Sequence, residues 1–251
     1  MRAGMNYDLG QLSNIDLGIH SQVRVYDDSL IAQLSDKNEL GGGIAFRHTL
    51  SQNLRGLANV YYTTYSFKED EIGSRDFTSI TTTLGLEYVF IPDVIGSVSG
   101  GMQTRSYDEA RFETDDNAHV RVELSGPLTS DLRVGILGGT GVRDSDVHPY
   151  PSQEYIEVRA YADMAISYAI SLRGAATYRN SSYDPYPGLA LLGGDETVIV
   201  LDAQLTYRAT ETASFIIGHR FEDVDADESL RRSFTGNFTR NTTRAGMTLD
   251  F

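Results

Sequence analysis

Ile15-Asp16-Leu17-Gly18-Ile19-His20-Ser21-Gln22-Val23-Arg24-Val25-Tyr26 is the stretch that decides the fold. Ile15, Leu17, Ile19, Val23 and Val25 occupy every second position, and Asp16, Gly18, His20, Gln22 and Arg24 lie between them. Successive side chains of a strand point to opposite faces, so this period of two makes a ribbon with one oily and one wet side.

The same alternation recurs in Leu40–Leu50, Leu54–Phe67, Phe77–Phe90, Val94–Tyr107, Ala118–Gly126, Leu132–Arg143, Tyr155–Tyr168, Ile170–Asn180, Thr197–Arg208, Ala213–Asp223 and a last segment ending at Phe251. With Met5–Leu9 in front, this predicts about thirteen strands, each about long enough to cross a bilayer at a tilt. Helical spacing of three and four is hard to find, so the expected class is all-β.

The expected connections alternate in length. Short ones fall at Gln11–Asn14, Ser51–Asn53, Ile91–Asp93, Pro127–Asp131, around Ala169 and at Ala209–Thr212. Long polar ones fall at Asp27–Asn38, Lys68–Asp76, Asp108–Asn117, Asp144–Glu154, Ser181–Asp195 and Val224–Gly236. Tight turns at one end and long loops at the other describe an antiparallel up-and-down meander; an outer-membrane barrel has short periplasmic turns and long extracellular loops.

Composition narrows the function classes. The 251 residues hold 35 acidic and 21 basic side chains, 24 Gly, 15 Tyr, 10 Phe, 6 Pro and neither Cys nor Trp. Without cysteine there is no disulfide framework, thiolate metal site or thiol chemistry. A formal charge of −14 argues against nucleic acid as a partner, because phosphate binding needs a positive footprint. No apolar run is long enough for a spanning helix, and the residues after Met1 do not read as an intact signal peptide.

A soluble β-sandwich also alternates, so the question is what the oily side touches. Four features favour lipid. Arginines fall in the polar register inside the strands, as a water-filled lumen requires: Arg24, Arg47, Arg55, Arg105, Arg121, Arg133, Arg159, Arg173, Arg179, Arg208, Arg220 and Arg244. Aromatics assigned to the oily register gather near segment ends, as girdles do: Phe46, Tyr62, Tyr88, Phe90, Tyr155, Tyr168, Tyr178, Tyr207, Phe221 and Phe251. Mid-strand oily positions are often small, as at Gly42, Gly56, Ala58, Gly96, Gly100, Ala160, Ala162, Gly174, Ala176 and Ala203, which would pack a soluble core poorly. Finally, closure removes the open edges that so many long strands would otherwise expose. The expected fold is one transmembrane barrel domain over residues 1–251, with about 12–14 strands.

The ending Arg244-Ala245-Gly246-Met247-Thr248-Leu249-Asp250-Phe251 resembles the terminal strand signal by which outer-membrane proteins reach the barrel-assembly machinery, with Gly246, Leu249 and Phe251 at its marked positions. Further textures recur: Phe46-Arg47-His48-Thr49-Leu50-Ser51, Glu87-Tyr88-Val89-Phe90-Ile91-Pro92, Thr206-Tyr207-Arg208-Ala209-Thr210, and Phe238-Thr239-Arg240-Asn241 before the terminal Leu249-Asp250-Phe251. With Asp-rich loops after the upward strands, nearly the whole chain resembles the β-barrel porin 2 family, outer-membrane porins associated with exopolysaccharide export loci. That resemblance implies residence in the bacterial outer membrane and supplies no catalytic residues. It also implies an even strand number, so an odd count predicts either a missing upstream strand and signal peptide or that Met5–Leu9 lies outside the barrel.

The polar register also holds Asp16, Glu87, Glu123, Glu157, Asp163, Asp202 and Glu222. One reading is a cross-strand ion-pair ladder that holds register. The surplus of arginine supports a second: a cationic lumen that passes anionic solutes or an acidic polysaccharide, with Tyr61 and Tyr65 stacking on sugar rings. The alternative is a structural or surface-interaction barrel with a plugged lumen, since this strand number lies between the filled eight-stranded case and the open sixteen-stranded one. Expected partners are outer-membrane lipid and lipopolysaccharide, the assembly machinery and polysaccharide export proteins.

No enzyme is expected and no cofactor. His20, His48, His119, His148 and His219 have no metal-ligand spacing, and Val98 occupies the nucleophile position of Gly96-Ser97-Val98-Ser99-Gly100. Asp223-Val224-Asp225-Ala226-Asp227 begins like a calcium loop, but Glu228 stands where Gly is needed and Phe234 where Glu is needed.

Overall fold

The computed structural model describes residues 1–25, 36–67, 76–109, 114–144, 152–183, 193–231 and 237–249. Thirteen strands follow in chain order: β1 (Arg2–Asp8), β2 (Ser13–Arg24), β3 (Lys37–Thr49), β4 (Leu54–Phe67), β5 (Phe77–Ile91), β6 (Val94–Tyr107), β7 (Asp115–Pro127), β8 (Leu132–Asp144), β9 (Ser152–Ala165), β10 (Ile170–Tyr183), β11 (Gly194–Arg208), β12 (Ala213–Ala226) and β13 (Phe238–Leu249). Each pairs with its sequence neighbours in one sheet ordered β1 to β13, with no crossover. A single helical turn, α1 (Glu228–Arg231), occupies the connection after β12, where the sequence predicts only loop.

The short connections repeat one device. The amide of the first turn residue donates to the carbonyl four residues on, as in Leu9 to Ser13 (2.8 Å), Leu50 to Leu54 (2.9 Å), Leu128 to Leu132 (2.7 Å), Ile166 to Ile170 (2.9 Å) and Ala209 to Ala213 (2.9 Å). Hydroxyls then satisfy the freed amides: Thr129 Oγ1 accepts from Leu132 N (3.1 Å) and Ser167 Oγ from Ile170 N (3.1 Å). The turn between β5 and β6 is tighter. Pro92 presets the first φ, and Asp93 takes the left-handed conformation at φ 69°. Tyr168 sits in the turn before β10 rather than at a strand end, 98% exposed.

Strands extend past the alternating apolar runs toward the long connections. β3 starts at Lys37 rather than Leu40, β9 at Ser152 rather than Tyr155, β11 at Gly194 rather than Thr197, and β10 ends at Tyr183 rather than Asn180. Both faces are polar there, so the ladder continues where hydrophobic contrast fades.

By contacts the described residues form two units. One holds the described residues up to Tyr88 together with those from Ser97 to Arg121; the other holds Val89–Gly96 and the described residues from Val122 onward. In both, the face carrying large apolar side chains is open. In the first unit Ile19 is 64% and Leu84 71% exposed; in the second Ile156 is 58% and Ile217 57%. Packing two sheets against each other would bury these residues. The few buried apolar side chains, such as Phe77, Tyr183, Val198, Val224 and Leu230, cluster instead toward the long connections on the opposite face. On β5 the apolar band runs from Ile80 to Phe90, a rise of about 25 Å at about 3.3 Å per residue and a tilt near 40°.

Candidate functional site

Directly paired residues share a face, so the registers assign the second, polar face without ambiguity. Arg24 pairs with Lys37, and Asn14 with Arg47. Gly43 pairs with Tyr61, Glu39 with Tyr65, and Thr49 with Arg55. Further along, Leu137 pairs with Arg159, Arg173 with Asp163, Asp202 with Arg220, and Gly218 with Arg244. Arg208 pairs with Ser214. Arg105 and Arg121 have the parity of Gln103 and His119, which bond to Ser79 (3.0 Å) and Thr83 (2.9 Å) on the same face of β5. Arg133 donates to Ser125 (3.4 Å). All twelve predicted arginines and both tyrosines therefore lie on the polar face.

The aromatic assignment needs one correction. Tyr155 pairs with Gly141 and Ser181, which places it on the polar face, not the apolar one. A Cβ at Gly141 would lie 3.2 Å from its hydroxyl, so the glycine makes room for the ring. Two neighbours use the device more strongly: a Cβ at Gly43 would lie 2.3 Å from the Tyr61 ring, and one at Gly135 2.4 Å from Tyr161. These rings lie flat on the sheet.

Much of the ladder is present. Arg47 pairs with Asp16 (2.9 Å), Arg55 with Glu87 (2.8 Å), Arg173 with Asp163 (3.3 Å), Arg179 with Glu196 (3.8 Å) and Arg220 with Asp202 (3.8 Å). Arg240 also pairs with Glu222. Toward the long connections the face closes over. Tyr65 stacks on Phe77 at 4.4 Å between centroids, so its ring is engaged rather than open, and Arg105, 1% exposed, lies over the same Phe77 at 5.4 Å. In the second unit Gln153 accepts from Arg143 (2.8 and 2.9 Å) and donates to Tyr183 (2.8 Å) and Ser181 (3.2 Å), with its amide oriented by that network. Leu230 of α1 packs there against Tyr183 and Ala226, and Ser229 donates to Gly193 O (3.1 Å).

Midway along the polar face of β9–β13 lies a recess of about 500 Å³. Arg159, Arg173, Arg220 and Arg244 line it, with Asp202 the one carboxylate on its wall. Its floor is low because Ala175 and Gly218 have little side chain. Arg244 lies across Gly218, where a Cβ would be 2.9 Å from its Nε, and donates to Gln204 Oε1 (3.1 Å). Toward the short turns a second recess, about 530 Å³, mixes Arg133 and Arg173 with Asp93, Asp131 and Asp163. The cation excess is therefore local.

The family model described as "Putative beta-barrel porin 2" matches residues 1–251. The chain belongs to this family. Among solved structures, the CymD monoaromatic hydrocarbon channel is 10% identical over 100% of this chain and 82% of its own, with a TM-score of 0.52, and shares the fold. A NanC porin (13% identical, 100% and 98% covered, TM-score 0.36) and OmpT of Vibrio cholerae (10% identical, 96% and 98% covered, TM-score 0.43) also match. Comparison with curated protein sequences gives no match. This porin-family protein is an integral β-barrel of the bacterial outer membrane. Its apolar face is the membrane-facing one.

Several polar-face residues of this porin escape the sequence reading. Lys37, Arg143 and Arg240 add cations, Glu39 and Glu196 add acids, and Tyr161 adds a ring. Parity counted outward from Glu157 and Arg159 finds Tyr161 and corrects Tyr155, and parity from Arg133 finds Arg143 at the end of its run; Lys37, Glu39 and Glu196 lie before the apolar runs. Of the terminal signal, Gly246 and Leu249 lie on β13 and Phe251 falls outside the described residues.

Proposed function

We propose that the polar face lines a lumen through which the protein passes anionic solutes or exports an acidic polysaccharide, without catalysing a reaction. The observation that carries this reading is the recess where four arginines meet one wall carboxylate. Guanidinium forks match carboxylate and phosphate, and their field is stronger beside a low-dielectric wall than in bulk water. Tyr61, 45% exposed and flat on Gly43, offers a ring face on which a sugar can stack. In this reading lipid and lipopolysaccharide surround the barrel, the assembly machinery recognises its last strand, and polysaccharide export proteins meet its short turns.

The test is conductance and reversal potential in planar bilayers at neutral pH. Anion preference is expected; cation preference contradicts the reading. A second reading, a structural barrel with a plugged lumen, is favoured by the sealed Gln153–Tyr183–Leu230 cluster on the same face. A silent bilayer selects it.

A further inference from the structure

We propose that the arginine recess on β9–β13 is a two-pole binding site for solutes carrying an oxyanion at each end, such as a dicarboxylate or a stretch of acidic polymer. The proposal rests on the reading of the polar face as a lumen wall, and it asks for saturable recognition rather than a diffuse field.

The arginines fall into two pairs by strand. Arg159 and Arg173 come from β9 and β10, and Arg220 and Arg244 from β12 and β13. Strands lie about 4.8 Å apart, so Arg159 on β9 and Arg220 on β12 rise from backbones about 14 Å apart along the sheet, while Arg244 leans across Gly218 to Gln204 on β11 between them. That strand also offers Asp202. A single small anion that reaches toward both poles meets Asp202 in the middle, whereas a solute with charge at both ends keeps its centre away from that carboxylate.

Each pole keeps one arginine without a carboxylate. Arg173 is shared with Asp163 (3.3 Å), and Arg220 with Asp202 (3.8 Å) and Glu222 (3.9 Å). Among the described residues Arg159 forms no ion pair, and its buried Nε makes no hydrogen bond. Among the described residues Arg244 donates only to the neutral Gln204 (3.1 Å), and it lies across Gly218. A guanidinium without an anionic partner beside a low wall favours an incoming carboxylate, because charge-assisted bidentate pairs are the strong ones. The volume, about 500 Å³, lies within the range of small-molecule sites.

The experiment is calorimetric titration of the whole detergent-solubilised protein with adipate and with hexanoate, which has the same length and one carboxylate. Adipate is expected to bind at least tenfold tighter. R159Q and R244Q should each bring adipate to within about twofold of hexanoate, and Asp202→Asn should tighten adipate several-fold, a gain that a misfolded variant does not show. Equal binding of the two acids, full adipate affinity in both arginine variants, or no gain in Asp202→Asn overturns the proposal. Because binding is read in detergent, a silent bilayer with intact adipate binding sinks only the passage reading. A conducting, anion-preferring channel that ignores adipate sinks only this one.

Discussion

Leu84 and Thr83 are adjacent on β5 and lie on opposite faces, so an arginine placed at each in turn separates the lipid side from the water side. Leu84 is 71% exposed and pairs with Ala58 on the apolar face; Thr83 pairs with Asn59 and bonds to His119 (2.9 Å) on the polar one. Leu84 stands four residues above Ile80 and six below Phe90, in the middle of the apolar band. An arginine there costs about 2–4 kcal/mol in a transmembrane barrel. Losing about 100 Å² of leucine surface from contact with lipid adds about 2.5 kcal/mol at about 25 cal/mol per Å². Leu84→Arg should therefore lose about 4.5–6.5 kcal/mol, a factor of about 10³ or more in the folded ratio. Thr83→Arg should lose about 1 kcal/mol, the worth of its hydrogen bond. Urea-titrated folding into lipid vesicles, read by heat-modifiable migration on a gel, measures both. Equal losses, or a larger loss at Thr83, refute the assignment of faces.

Gly135→Val should cost about 1–3 kcal/mol because its Cβ falls 2.4 Å from the Tyr161 ring, and Tyr161→Ala in the same chain should recover most of it in the same folding titration. Exchanging the partners of the Arg55–Glu87 pair should restore most of the loss, a few tenths to about 1 kcal/mol, produced by reversing either one alone; a double-mutant cycle with no coupling removes that rung from the ladder. Replacing Phe251 by Ala should lower the fraction of chain assembled in the outer membrane, measured by surface protease protection, while unassisted folding into vesicles changes little. Equal loss in both assays assigns Phe251 to stability instead of delivery.

The arrangement of strands was readable because hydrocarbon favours apolar or small side chains on the face it meets, so most of the hydrophobic stretches declare their own register, although His219 of β12 and Asn241 of β13 depart from the rule on that face. Ile15 to Val25 does so without help from any neighbour. The rule lapses beyond the band. Between Lys37 and Leu40, or Gly194 and Thr197, both faces carry mostly polar side chains, no hydrophobic contrast marks the strand, and the ladder runs on unannounced by composition. The polar face was legible as a list and not as a place. Arginine parity puts Arg159, Arg173, Arg220 and Arg244 on one side of the sheet, but their convergence depends on what lies between them: Ala175 and Gly218 lower the floor, and the glycine lets Arg244 fold toward Gln204. Small residues on a wet face carry no hydrophobic signal, so they read as filler. Tyr65 shows the converse: inward by parity, it is engaged by Phe77, a large apolar residue on the wet side that the alternation gives no reason to expect. Register is thus a property each strand states alone, whereas a recess or a stacked ring belongs to the differences in side-chain size among three or more neighbouring strands, and only the pairing of those strands makes it visible.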